Sequence, residues 1–183
     1  MPTTNITVPG SGGSGGFVEF IHYANDLAHN AAAQTFSANA FTTANLSAQL
    51  SDYLLATGGA GSSGSAVGTN DFTLSAGSYY GEVLSNLCND RVNDPYGFTL
   101  GLYNVTDSAW AFSEASQSYI SSAKGYAHGE FYISGTKTFE IRFVTNNAGS
   151  INSGTGATGA GQLAITLATA SLDRRSQVLL WKR

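Results

Sequence analysis

The sequence predicts an all-β domain, a jelly-roll β-sandwich, on three observations. Charged residues make up 11% of the 183-residue chain while hydrophobic residues make up 42%, against about 25% charge in an ordinary soluble protein. Gly, Ser, Thr, Asn and Ala take the place of charge, a mixture that suits short strands joined by turns. Alternating apolar and polar runs recur between Gly-, Asn- and Pro-containing turns, and no long segment keeps a helical period. One core commonly serves about 100 to 200 residues, so this length implies one domain plus an extension.

Residues 1–16 read as an arm, because Gly10-Ser11-Gly12-Gly13-Ser14-Gly15-Gly16 orders only at a large backbone entropy cost and buries no side chain. The G-x-G-x-x-G spacing in that tract follows no hydrophobic strand and arises from composition alone. Phe17 to Leu27 fits a helix face through Phe17, Phe20, Ile21, Ala24 and Leu27, or a strand through Phe17-Val18-Glu19-Phe20-Ile21; aromatic and β-branched enrichment favours the strand. Phe36 to Thr43 alternates aromatic residues and Thr with small ones, and Leu46, Leu50, Tyr53 and Leu54 follow. The Gly/Ser-rich stretch from Thr57 to Asn70 is expected to be a flexible loop outside the core.

Beyond it the strand signal becomes regular. Phe72-Thr73-Leu74 meets the turn Ser75-Ala76-Gly77, where Gly77 can supply a positive φ. Tyr79 to Leu87 follows, then the turn Asn93-Asp94-Pro95-Tyr96-Gly97, then Phe98, Leu100 and Leu102 in alternation. Tyr119 to Lys124, Tyr126 to Ile133, Thr138 to Val144, Gln162 to Ala168 and Gln177 to Trp181 continue the pattern, separated by Gly125, Ser134-Gly135 and a Gly/Ala/Ser/Thr loop at 146–161. Within Thr138 to Phe143, Phe139, Ile141 and Phe143 share the core face; Glu140 and Arg142 share the other, where they can pair within or between subunits. Eight to ten short strands without a long helix are solved by a sandwich or jelly roll.

Several chemistries lack a basis. The first 90 residues hold six acids and no Lys or Arg, and the eight basic residues beyond form no stripe suited to nucleic acid. Cys88 is the sole cysteine, which excludes an intrachain disulfide and suggests an inert buried thiol. No run of about 18 apolar residues occurs, and Met1-Pro2-Thr3-Thr4 does not open a Sec-type signal, so neither membrane insertion nor export by that route is expected. Sequons at Asn5, Asn45 and Asn104 are expected by chance in so Asn/Ser/Thr-rich a chain.

His22, Asp26 and His29 would converge only on a helix and even then form an incomplete metal set. Asp90 and Asp94 could offer oxygens to calcium, but Asn/Asp before Pro is more often turn chemistry. Neither Gly61-Ser62-Ser63-Gly64 nor Gly149-Ser150-Ile151 makes a nucleophile elbow, His128 reads as a strand residue, and no spacing among the twelve acids marks a glycosidase pair. No catalytic residue, cofactor or metal is expected. Tyr79, Tyr80, Tyr103, Tyr119, Tyr126 and Tyr132 are core or interface candidates.

Four segments carry a resemblance: Phe72-Thr73-Leu74-Ser75-Ala76-Gly77-Ser78-Tyr79 with Glu82; Leu102-Tyr103-Asn104-Val105-Thr106-Asp107; Gly129-Glu130-Phe131-Tyr132-Ile133 with Thr136-Lys137-Thr138-Phe139-Glu140-Ile141; and Val178-Leu179-Leu180-Trp181-Lys182. The chain resembles the trimeric jelly roll of the C1q and tumour-necrosis-factor (TNF) type, in the form found in phage tail fibres, spikes and head-attached proteins. The likeness covers residues 17–183, and the stretch Thr35 to Thr43 is similar to phage members in particular.

The resemblance implies a homotrimer with no catalytic residues, its interface drawn from Tyr79, Tyr103, Tyr132, Phe139 and Trp181. It departs from a fibre in having no heptad-bearing or collagen-like stalk. That departure implies a compact trimer on the outer surface of a phage virion, assembled in the host cytoplasm, as a head decoration or cement protein or a short spike. Residues 1–16 would anchor it through Thr3, Thr4, Ile6, Val8 and Pro9 to a major capsid protein or a tail or baseplate protein. The alternative is a receptor-binding tip of a tail fibre or baseplate, gripping a host surface glycan or protein with the loops at 57–70 or 146–161.

Overall fold

The structure, a computed structural model, describes residues 16–28, 34–89, 96–118, 122–146, 149–151 and 172–183. Those residues form twelve strands and no helix. They are β1 (Glu19–Ala28), β2 (Gln34–Phe36), β3 (Thr42–Thr43), β4 (Ala48–Leu54), β5 (Asp71–Leu74), β6 (Gly77–Asn89), β7 (Tyr96–Asn104), β8 (Ala109–Ser118), β9 (Ser122–Ile133), β10 (Lys137–Thr145), β11 (Gly149–Ile151) and β12 (Leu172–Lys182). The anchoring residues Thr3, Thr4, Ile6, Val8 and Pro9 lie outside the described residues, as do Gln162 to Ala168, His29, Asp90, Asp94 and Tyr119.

All pairings are antiparallel, and they build two sheets. In the larger, β12 lies between β1 and β6, β4 borders β1, β9 borders β6, and the short β11 and β2 extend from the far half of β6. In the smaller, β7 lies between β10 and β8, and β3 and β5 both border the other side of β10. The chain changes sheet at every step from β2 to β7 and again at β8 to β9, β9 to β10 and β10 to β11, the winding of a jelly roll.

Strict alternation sets what faces inward. Ile21 and Tyr23 of β1, Tyr79 and Val83 of β6, and Val178 and Leu180 of β12 meet Phe72, Leu74, Leu100, Leu102, Phe139, Ile141 and Phe143 of the smaller sheet. The aromatics form a chain through this core: Tyr23 stacks on Phe72 at 3.9 Å, Phe72 on Phe139 at 6.1 Å, and Phe139 meets Phe131 at 5.5 Å. Burying each such side chain contributes about 1.5–3 kcal/mol.

The predicted fold class holds, and the differences have physical reasons. Gly77 opens β6 with φ 157°. β9 runs unbroken through Gly125, which pairs with Ser85 and is buried. β8 escaped the sequence pattern because a bulge between Leu102 and Tyr103 lets Ala111 interrupt the alternation of Trp110 and Phe112. The loop expected at 57–70 lies outside the core at 57–60, which are exposed, but is fastened around 61–65: Ser63 is 5% exposed, and Gly64 bridges to Leu74. Glu140 and Arg142 pair within the chain.

Candidate functional site

The outward side of an antiparallel sheet is ordinarily polar. On the larger sheet it is aromatic. One cross-strand row reads Tyr53, Phe20, Trp181, Tyr80 and Glu130, set by the pairings of β4, β1, β12, β6 and β9. Phe20 lies 5.4 Å from Tyr53 and 5.2 Å from Trp181, and Trp181 lies 5.7 Å from Tyr80, all as ring centroids. Phe17 closes over Tyr80 and Trp181 at 6.3 and 6.5 Å, with the Arg183 guanidinium 5.2 Å from its ring. The adjacent row reads Ser51, His22, Leu179, Glu82 and His128.

This face is half-exposed in the single chain, with Leu50, Tyr53 and Tyr126 among its most open side chains. Its polar groups are already engaged with one another. His22 Nε2 and Gln177 Oε1 are 3.2 Å apart, and the Tyr80 hydroxyl donates to Glu82 at 3.1 Å. Partial burial and the Glu82 carboxylate push the Tyr80 hydroxyl up to about 12, and burial then Glu82 raises Tyr126 as well. The surface is suited to burying rings against another protein surface.

A second constellation lies beneath one corner of that face. Glu19, 3% exposed, accepts hydrogen bonds from the Ser62 and Ser63 amides at 2.6 and 2.9 Å and from the Ser63 hydroxyl. Lys182 Nζ donates to Ser63 Oγ at 2.8 Å and to Ser75 Oγ at 3.0 Å. Asp52 Oδ2 accepts from the Gly64 amide at 3.2 Å and from Gln49 Nε2 at 3.3 Å. A hydroxyl between an ammonium and a carboxylate has the elements of an activated nucleophile, but burial denies Ser63 a substrate; the cluster fastens segment 61–64 to the sheet. Among the described residues no group of three or more His, Cys, Asp or Glu could hold a metal ion.

The smaller sheet carries its own outward cluster. Trp110 meets Tyr103 edge-on at 5.4 Å and Phe41 at 6.1 Å, and the Arg142 guanidinium lies 3.7 Å over the Tyr103 ring while pairing with Glu140. Beside it, an open groove of about 710 Å³ runs between Asn39, Thr99, Ala115, Val144 and Asn146.

The five interface candidates from the sequence are scattered. Trp181 lies on the aromatic face of the larger sheet, Tyr103 on the outward face of the smaller, and Tyr132, 71% exposed, on β9. Tyr79 and Phe139 need correction: at 1% and 0% exposure they are held in the chain's own core and offer nothing to another subunit. Sequence reasoning missed Phe20, His22 and Tyr53. The usable signal was adjacency of apolar residues on one strand, as in Phe20-Ile21 and Leu179-Leu180-Trp181, which marks a strand apolar on both faces.

No protein-family model matches the sequence, and no curated protein matches it either. Among solved structures, murine APRIL at pH 8.0 is similar over 90% of this chain and 98% of its own, with a TM-score of 0.51 at 11% identity. The PRD1 vertex protein P5 is similar over 92% of this chain and 99% of its own, with a TM-score of 0.50 at 12% identity. The chain therefore folds as a TNF-like jelly roll, an architecture it shares with a TNF-family protein and a phage vertex protein.

Proposed function

We propose that this protein is a non-enzymatic phage virion component, a homotrimer held together through the aromatic face of its larger sheet. It docks on the particle by residues 1–16, as a decoration protein or short spike. The observation that carries the reading is the row Tyr53, Phe20, Trp181 and Tyr80, a set of rings on a face that an isolated antiparallel sheet would keep polar. The trimeric jelly rolls that the sequence resembles and the similarity of fold to a phage vertex protein support it. In this reading the arm orders on a capsid, tail or baseplate protein, and three arms per trimer give avidity without a strong individual site. Sedimentation of the full chain tests the assembly, with three times the chain mass expected. Deleting residues 1–16 tests the docking: the shortened protein should stay trimeric and fail to join particles, and particle binding without the arm would sink the docking role.

A receptor-binding tip is the second reading, favoured by one observation, the cluster of Phe41, Trp110, Tyr103 and Arg142 beside an open groove on the smaller sheet. Rings that stack on sugar faces next to a guanidinium that donates in a plane suit a glycan. Binding of the isolated protein to host cells, lost in Trp110→Ala while the trimer persists, would favour it over a purely structural role.

A further inference from the structure

We propose that Glu19 and Asp52 hold one hydrogen between their carboxyl groups, and that its loss loosens segment 61–64 from the larger sheet. Both side chains converge on Gly61, where a methyl group would overlap Glu19 Oε1 and Asp52 Oδ1 at once; the two oxygens therefore face each other across the space of one small group. The remaining acceptors are occupied. Glu19 takes the Ser62 and Ser63 amides and the Ser63 hydroxyl, and Asp52 Oδ2 takes the Gly64 amide and Gln49. Asp52 Oδ1 alone is buried with no donor. A hydrogen shared with Glu19 satisfies it, whereas two ionised carboxylates would leave it bare and repel.

The other titratable groups facing the pair do not supply that hydrogen. Tyr23 on β1 donates its own to the Ser65 carbonyl at 2.9 Å, and Tyr79 on β6 donates to the Ser75 carbonyl at 2.8 Å. Lys182 on β12 directs its ammonium to Ser63 and Ser75, reaching the carboxylates only through the Ser63 hydroxyl. The facing residues 61–64 carry no charge.

Burial and then the Glu19 neighbour push the Asp52 carboxyl up to about 6, while Glu19 is held below its usual range. A value raised on folding contributes stability that is complete below the unfolded value and is lost as pH rises through the folded one. The fastening is therefore tight in mild acid and loosens towards neutral pH. This holds whether or not the chain assembles.

The test is carbon-13 titration of the Asp52 carboxyl in the full chain, with urea midpoints between pH 5 and 8 for wild type and Asp52→Asn. An Asp52 midpoint near pH 6 is expected, together with a wild-type urea midpoint that falls over this range. In Asp52→Asn the amide donates permanently, so that this part of the fall should vanish. Asp52 titrating near the ordinary aspartate value of 3.8, or a variant that follows the wild-type curve, overturns the proposal. Should Asp52→Asn fail to fold, Glu19→Gln keeps an oxygen for the Ser62 and Ser63 amides but removes the neighbouring charge, and should lower the Asp52 midpoint; a midpoint unmoved in that variant overturns it equally.

Discussion

Phe20 on β1 and Trp181 on β12 stand directly opposite one another, ring centroids 5.2 Å apart, on the side of the larger sheet that faces away from the core. Their contact adds little to a core that Ile21 and Leu180 already fill from the other side. Trp181→Glu is therefore expected to leave the monomer folded, with a thermal midpoint within a few degrees of wild type. Self-association should weaken by about 2 kcal/mol or more per interface, roughly thirty-fold. Sedimentation velocity alongside circular dichroism checks both halves; an unchanged trimer would refute the assembly face.

Phe139 behaves in the opposite way. It is fully buried, between Phe72 at 6.1 Å and Phe131 at 5.5 Å. Phe139→Ala should cost about 3–5 kcal/mol in urea unfolding, because the ring is held by both sheets and the gap cannot collapse. A loss below about 1 kcal/mol would mean that the core repacks freely.

Ser63→Ala tests the fastening of segment 61–64 from its hydroxyl. Burial alone would raise Glu19, but donors from Ser63, Asp52 and Ser62 outweigh it and hold the carboxyl below its usual range. A lowered value contributes stability that is present above the unfolded value and lost as pH falls through the folded one. Removing the hydroxyl should cost about 1–3 kcal/mol near neutral pH. It should also move the onset of acid destabilisation to higher pH, as read from thermal midpoints between pH 3 and 7. Equal onsets in the two proteins would show that the hydroxyl does not support the carboxylate.

Gly101 sits where β7 passes the bulge in β8. A methyl group there would overlap the Phe112 carbonyl oxygen and come within 2.7 Å of Ser113 Cα. Both obstacles are backbone and neither can rotate away. Gly101→Ala should destabilise by about 3 kcal/mol, the upper end of the usual overpacking cost, and calorimetry should show it as a lower midpoint.

The legible parts of the fold were those where one strand carries its own rule. Phe139, Ile141 and Phe143 alternate strictly, and Val178 to Trp181 form a closing apolar run, hence β10 and the end of β12 could be placed from sequence alone. Segment 61–64 could not. Its partners Glu19 and Asp52 are remote in the chain or on another strand, and a Gly/Ser stretch shows no trace of an acceptor elsewhere. The aromatic face was half legible: Trp181 was named, but Phe20 and Tyr53 join it only through the registers of β1 with β12 and β4.

The placement of β1 has a mechanical side. From Glu19 to Ala24 it is laddered on two flanks, to β12 and to β4. A pull on residue 16 along the strand axis strains bonds on both flanks together, in shear, instead of opening them one after another. Should the chain be held through residue 16, as proposed, the load would thus be spread across the sheet.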